Sequence, residues 1–295
     1  MPLTIQMKGK KAFHAIIFIL LVILLFIFFL YIGFPYDALK RRIKGELEAK
    51  TPFLYEIEEL LPHPLSGLTF KKVVIYASVD SKRARVLGVD RFRVALSLIP
   101  LLWRKVHLRL WGDILEGTLE GEITRRGGNG ELTLWGSDVN LQQIDILRDV
   151  GGVEMAGILR GKTVLTLGEG GISEQTGTAE FTITEAILRR LPLPGVAPLR
   201  LGGIQGKLEL KRGNIIIKRL AFSEGDLSGQ VLGNILLNPN FSQSRLNLRI
   251  TIKPSAKFDP RYRILLSLLG RQRQTEGLYA FFLKGTLHHP RLVTK

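Results

Sequence analysis

Residues 245–253 read RLNLRITIK, and residues 227–237, a few positions earlier, read LSGQVLGNILL. Leu246, Leu248, Ile250 and Ile252 alternate with Arg245, Asn247, Arg249, Thr251 and Lys253. Successive side chains of a strand point to opposite faces, so this stretch has one apolar and one polar face. In the earlier stretch Leu227, Gly229, Val231, Gly233, Ile235 and Leu237 share a face in the same way. A period of two, repeated in neighbouring segments, is the pattern of an antiparallel sheet buried on one side.

The same period recurs toward the N-terminus, in residues 204–211, 114–123 and 91–98. Turn chemistry separates the runs: Gly127-Gly128-Asn129-Gly130, Lys211-Arg212-Gly213-Asn214 and Ser223-Glu224-Gly225-Asp226. The spacing is that of a meander, without the long strand–helix alternation that a parallel sheet requires. Short helices are expected at 141–150 and 260–269, and a turn at Gly168-Glu169-Gly170-Gly171. The Pro-rich segment 191–198 either divides the body in two or is an irregular crossover on one sheet. The expected fold is therefore mostly β: a curved, largely antiparallel sheet with one apolar face and a few short helices.

A glycine rhythm runs through these strands, as in Gly117-Thr118-Leu119-Glu120-Gly121, Gly157-Ile158-Leu159-Arg160-Gly161 and Gly202-Gly203-Ile204-Gln205-Gly206. Glycine on the apolar face removes a side chain. That serves either to bend the sheet or to leave room for a ligand.

The first fifty residues differ. Residues 15–32 read AIIFILLVILLFIFFLYI, 18 residues without a charge. As a helix they span roughly 27 Å, close to the hydrocarbon core of a bilayer. The run is longer than a signal-peptide core and no small-residue cleavage site follows, so it is expected to stay as an anchor, with Ala15, Phe18, Leu21, Leu25, Phe29 and Ile32 along its length. Lys8, Lys10 and Lys11 precede it; Lys40, Arg41, Arg42 and Lys44 follow it, so charge alone does not orient it. The short basic tail, 1–14, suits a signal-anchor with the tail in the cytoplasm and the long C-terminal part exported. Residues 33–50 form a juxtamembrane segment in which Leu39, Ile43 and Leu47 recur every four positions among Lys and Arg. Such a helix either lies on anionic headgroups or packs on the body, 51–295, that follows.

Composition narrows the chemistry. The 295 residues carry 42 Lys and Arg against 26 Asp and Glu, a formal charge of +16, and no Cys. Disulfides, Cys-ligated metals and thiol catalysis are excluded. The five His are scattered, and none accompanies a Gly-x-Ser-x-Gly elbow. On a strand His288 and His289 would point to opposite faces and form no chelate. Glu116, Glu120 and Glu122 read as a solvated strand face. No catalytic residue, metal site or cofactor is expected. From 241 to 295 there are 11 Lys and Arg against 2 Asp and Glu. Nucleic acid is the obvious partner for such charge, but the cations alternate along strands behind an anchor, which suits lipid headgroups or an acidic partner subunit.

Taken in order, several segments resemble the type II secretion system protein N family. They are Pro64-Leu65-Ser66-Gly67-Leu68-Thr69-Phe70, Ile99-Pro100-Leu101-Leu102-Trp103-Arg104, residues 115–121, Leu191-Pro192-Leu193-Pro194, Asp226-Leu227-Ser228-Gly229-Gln230-Val231, Ser244-Arg245-Leu246-Asn247-Leu248, Phe282-Leu283-Lys284-Gly285-Thr286-Leu287 and Pro290-Arg291-Leu292. The segments 99–104 and 285–292 are also similar to AsmA-type envelope proteins. The resemblance implies a single-pass inner-membrane protein with a periplasmic body, a non-catalytic accessory of the machine that exports folded proteins, in contact with other secretion subunits. It also implies kinship with proteins that handle lipid. On that alternative an uncovered apolar sheet face holds acyl chains, and Leu208, Leu210, Val231, Ile235, Leu246, Leu248 and Ile250 line the groove. A charge at Leu248 would then empty the groove and leave the sheet folded.

Overall fold

The computed structural model describes residues 14, 17–22, 25, 29, 33–51, 53–63, 67–79, 82–144, 154–168, 175–190, 198–238, 243–256, 258, 273–274 and 277–293. The chain forms two compact units, Met1–Arg42 and Ile43–Lys295.

Of the expected anchor, residues 17–22, 25 and 29 are helical, and Phe18, Leu21, Leu25 and Phe29 are exposed. Ala15 and Ile32 lie outside the described residues, and among those described no helix is long and apolar enough to cross a membrane. Helix α1, Tyr36–Lys50, follows Pro35. Its stripe of Leu39, Ile43 and Leu47 is half-buried to exposed. Its last turn is tied to the first strand: the Tyr55 backbone N–H donates to Glu48 Oε1 at 3.1 Å, and Thr51 Oγ1 lies 3.0 Å from the Tyr55 hydroxyl.

Among the described residues after α1, the strands form one antiparallel sheet of fifteen. In chain order they are β1 (Phe53–His63), β2 (Gly67–Val79), β3 (Lys82–Leu96), β4 (Lys105–Ile114), β5 (Gly117–Arg126), β6 (Asn129–Asn140), β7 (Glu154–Leu167), β8 (Thr176–Arg190), β9 (Leu199–Lys211), β10 (Asn214–Glu224), β11 (Leu227–Leu236), β12 (Arg245–Pro254), β13 (Arg273–Gln274), β14 (Leu278–Thr286) and β15 (Pro290–Val293). Each strand pairs with the next in sequence through β12; β14 then adds to β12, and both β13 and β15 pair with β14. Apart from 114–123, the alternating segments fall on strands, the run 91–98 as far as Leu96, and the glycine turns fall between strands. β8 and β9, which flank the Pro-rich segment, pair with each other; residues 191–197 themselves lie outside the described set.

Three local expectations are corrected. The run 114–123 is two strands, because Leu115 and Glu116 form a tight turn with φ of 47° and 65°. That left-handed conformation is uncommon for residues other than glycine. Here Leu115 is buried, its carbonyl accepts the Asn140 backbone N–H, and Asn140 Nδ2 donates to Glu116 at 2.8 Å, so tertiary contacts hold the turn. Of the helix expected over 141–150, the described part is a 3-10 turn, Leu141–Gln143, capped by the Asn140 side chain at the Gln142 N–H, after which Ile144 returns to extended geometry. Residues 145–150, the 168–171 turn beyond Gly168, and 260–269 lie outside the described residues. His288 and His289 sit in the bend between β14 and β15, not on a strand, with ring centroids 4.3 Å apart. The pointing-apart of strand neighbours does not apply to them.

The apolar face carries the packed side chains. Leu246, Leu248 and Ile217 form one buried cluster, with Leu208, Val231 and Ile235 packed against it. Ile183, Ala186, Ile204, Phe222 and Ile252 form another, onto which the turn after β6 places Leu141 and Ile144 and against which Val231 and Ile250 pack. A third joins Val89, Ile114, Leu115 and Val139. Leu248, 9% exposed, is thus a core residue. The expectation that it takes a charge harmlessly fails on the cost of burying an unpaired ion. Leu248→Asp is expected to destabilise the body by about 3 kcal/mol or more and Leu248→Ala by about 2–4 kcal/mol. Urea unfolding followed by circular dichroism would measure both.

Candidate functional site

Register decides where the apolar face is filled and where it is not. Directly opposed residues share a face. One row crosses the sheet as Leu119–Gly136–Gly161–Phe181–Gly206–Leu220. The next row runs Leu110–Gly121–Leu134–Thr163–Ala179–Leu208–Ile217–Gly233–Leu248. Large residues and glycines mostly take turns, and the large neighbour lies over the glycine. A Cβ at Gly206 would strike the Phe181 ring, one at Gly229 would lie 2.6 Å from Phe222 Cζ, and one at Gly121 2.7 Å from Leu134 Cδ2. At these positions the space is used by the protein's own side chains.

The exception is the adjacent pair Gly136 and Gly161. Phe181 leans toward Gly206, and Leu119 stands on the other side of the pair. A Cβ at Gly136 would meet nothing nearer than Val139 Cγ2 at 3.7 Å. Over this pair lies a cavity of about 410 Å³, lined by Leu87, Ile114, Leu115, Leu119, Leu134, Gly136, Val139, Ile144, Leu159, Gly161, Thr163, Ala179 and Phe181, with Lys162 and Glu180 at its margin. The lining comes from six consecutive strands, β3 to β8, plus the turn after β6. The volume falls in the usual range for ligand sites, and a cavity of about 150 Å³ already suffices for a benzene-sized molecule. Bulges gather at one end of this region: the β6–β7 register slips between Gly136 and Val139, β7–β8 between Ala156 and Ile158, and β8–β9 between Ile183 and Ala186.

The opposite face is polar. Its matching row is Glu120–Trp135–Lys162–Glu180–Lys207. The Lys162 ammonium sits 5.5 Å from the Trp135 ring centroid and Lys207 pairs with Glu180 at 2.6 Å. The hydrogen bond and charge of Lys207 hold the Glu180 carboxyl below its ordinary value of 4.5, and Glu180 in turn raises Lys207. The carboxylate's share of stability is present above the ordinary glutamate pKa and is lost as pH falls through the lower folded value. The ammonium's share is lost only as pH rises through its raised value. Both groups are exposed, so the pair adds little. A shallow depression of about 640 Å³ on this face has walls already occupied by such pairs.

The groove residues expected from sequence lie on the same face as the cavity but beside it. Leu208, Val231, Ile235, Leu246, Leu248 and Ile250 fill the clusters of β9–β12, and Leu210 stands half-buried opposite Ile215. Sequence reasoning passed over Leu87, Leu134, Gly136, Val139 and Phe181. Leu119, Leu159 and Gly161 fall within its glycine-rich segments. Asp226 and Ser244, both buried, belong to segments that carried the family resemblance, and their chemistry is structural. Asp226 accepts the Arg200 backbone N–H at 2.9 Å, and Ser244 Oγ accepts that of Asn238 at 3.1 Å. His107 Nε2 stands 3.9 Å from Glu122, and among the described residues no group of three His, Asp or Glu could hold a metal.

No protein-family model, no curated protein and no solved structure matches the chain.

The two glycines respond differently to substitution. A Cβ at Gly161 lies 2.8 Å from the Glu180 carbonyl oxygen and 2.9 Å from Phe181 Cβ. Gly161→Ala is expected to cost about 1–3 kcal/mol through overpacking, whereas Gly136→Leu fills the cavity at a cost under about 1 kcal/mol. Thermal melts of the two variants would check the ordering.

Proposed function

We propose that the chain is a non-catalytic envelope protein whose sheet binds a lipid acyl chain in the cavity over Gly136 and Gly161. The observation that carries this reading is the cavity wall, predominantly apolar and open over a glycine pair. On a flat sheet β3 and β8 would stand about 24 Å apart. That both line one cavity of about 410 Å³ supports a sheet curled into a trough, as do the bulges along its end. Burying about ten methylenes at roughly 0.8 kcal/mol each gives about 8 kcal/mol before ordering losses, so retention is micromolar at best. Residues 15–32 tether the protein to the inner membrane with the body in the periplasm. Their described members, Phe18, Leu21, Leu25 and Phe29 among them, turn large apolar side chains outward, which suits lipid. With a photo-crosslinking residue at Thr163 in the full-length protein, irradiation of cells is expected to give a lipid adduct that Gly136→Leu abolishes. Equal adduct in both proteins, or none in either, contradicts the reading.

A second reading, the accessory role in type II secretion that the sequence resemblance implies, is favoured by the edge of β1. Among the described residues no strand pairs with its outer side. Such an edge accepts another strand. Glu56, Glu58 and Glu59 are engaged by Tyr76, Lys72 and Lys71 of β2, so the edge is held in extended register. Crosslinkers at Ile57 are expected to capture a secretion subunit, and Ile57→Pro to remove that capture with the lipid adduct unchanged. Capture that survives the proline contradicts docking at this edge.

A further inference from the structure

The connection between β3 and β4 has no role in the cavity. It opens with a short helix, α2 (Leu98–Leu101), none of whose residues is buried. Leu98, Ile99, Leu101, Leu102 and Trp103 are 54%, 70%, 46%, 81% and 67% exposed. This is an ordered knob. The Leu102, Trp103 and Arg104 backbone N–H groups donate to Ile99, Pro100 and Leu101, and Ser97 N–H closes the hairpin on the His107 carbonyl at 2.9 Å. An organised turn that presents five large apolar side chains to solvent is shaped to be covered.

Its surroundings identify the cover. Exposed Arg104 and Lys105 follow the knob, and exposed Arg125 and Arg126 lie on the next strand. Lys105 is directly opposite Arg126, and Val106 opposite Arg125. Like charges face to face on neighbouring strands repel, and only an anionic partner turns that into attraction. The nearest acids along these strands, Glu122 and Glu131, sit further into the sheet, opposite Arg109 and Thr124. A Trp beside leucines at the tip with a collar of Lys and Arg behind is the composition of a membrane-interface anchor. The knob lies at the end of β1–β4 away from Phe53, where the chain enters the sheet, about 33 Å along β1.

We infer that the β3–β4 knob inserts into the interfacial layer of an anionic bilayer, with Ile99, Leu102 and Trp103 among the acyl chains and Arg104, Lys105, Arg125 and Arg126 on the headgroups. This contact is separate from the cavity: a variant that fills the cavity keeps it. The test uses the full chain with Trp111→Phe and Trp135→Phe, so that Trp103 alone reports, in proteoliposomes of phosphatidylethanolamine and phosphatidylglycerol. Lipids brominated near the headgroup are expected to quench Trp103 strongly, and Gly136→Leu to leave the quenching unchanged. Lys105→Gln with Arg126→Gln is expected to raise by about twenty-five-fold the dissociation constant for added vesicles of the same composition, each basic residue contributing roughly fivefold at an anionic surface. Trp103 that stays unquenched while circular dichroism reports an intact sheet overturns the inference, as does a double Gln variant that binds vesicles like the parent.

Discussion

A single sheet that turns one face apolar must have that face covered. This constraint governs the molecule. Among the described residues only short pieces lie on the apolar face, notably Leu141, Ile144 and Phe258. The rest of the covering is done within the sheet, by laying a large side chain over the glycine of the neighbouring strand. Phe181 over Gly206 and Phe222 over Gly229 are the clearest cases. Such lateral packing seals the face wherever large residues and glycines alternate across strands. Where two glycines meet, at Gly136 and Gly161, the seal is missing and the cavity opens.

The strands were legible because alternation along one strand is a property of consecutive residues. The turns at Gly127, Gly213 and Gly225 were legible for the same reason. The cavity was not, because it depends on which residue of β6 faces which residue of β7, and pairing register is not written in either strand alone. The densest apolar alternation, in β11 and β12, drew the expected groove there. Dense apolar rows interlock, so Leu246 and Leu248 became core instead. The glycine-rich segments around Leu119 and Gly161 held the better signal, since absence of a side chain is what makes room.

The misses at Leu115–Glu116 and at Leu141 meet at one residue. Local pattern favoured a continued strand and a helix. Asn140 holds the turn, its backbone N–H donating to the Leu115 carbonyl and its side chain to Glu116. Its side-chain oxygen also accepts the Gln142 N–H, as at a helix N-terminus, but a 3-10 turn over Leu141–Gln143 is followed by extended geometry at Ile144. Leu115 and Ile144 both form part of the cavity wall. The polar face, by contrast, follows simple charge alternation, and its ion pairs are exposed and weak.

The account therefore turns on whether the gap over Gly136 and Gly161 is occupied in the protein as cells make it. A high-resolution density map of the full-length protein, purified with its native lipids, would settle this most directly. The account predicts elongated density running from Leu119 past the glycine pair toward Leu159. A map in which Phe181 or Leu134 has folded over the glycines and closed the gap would contradict it.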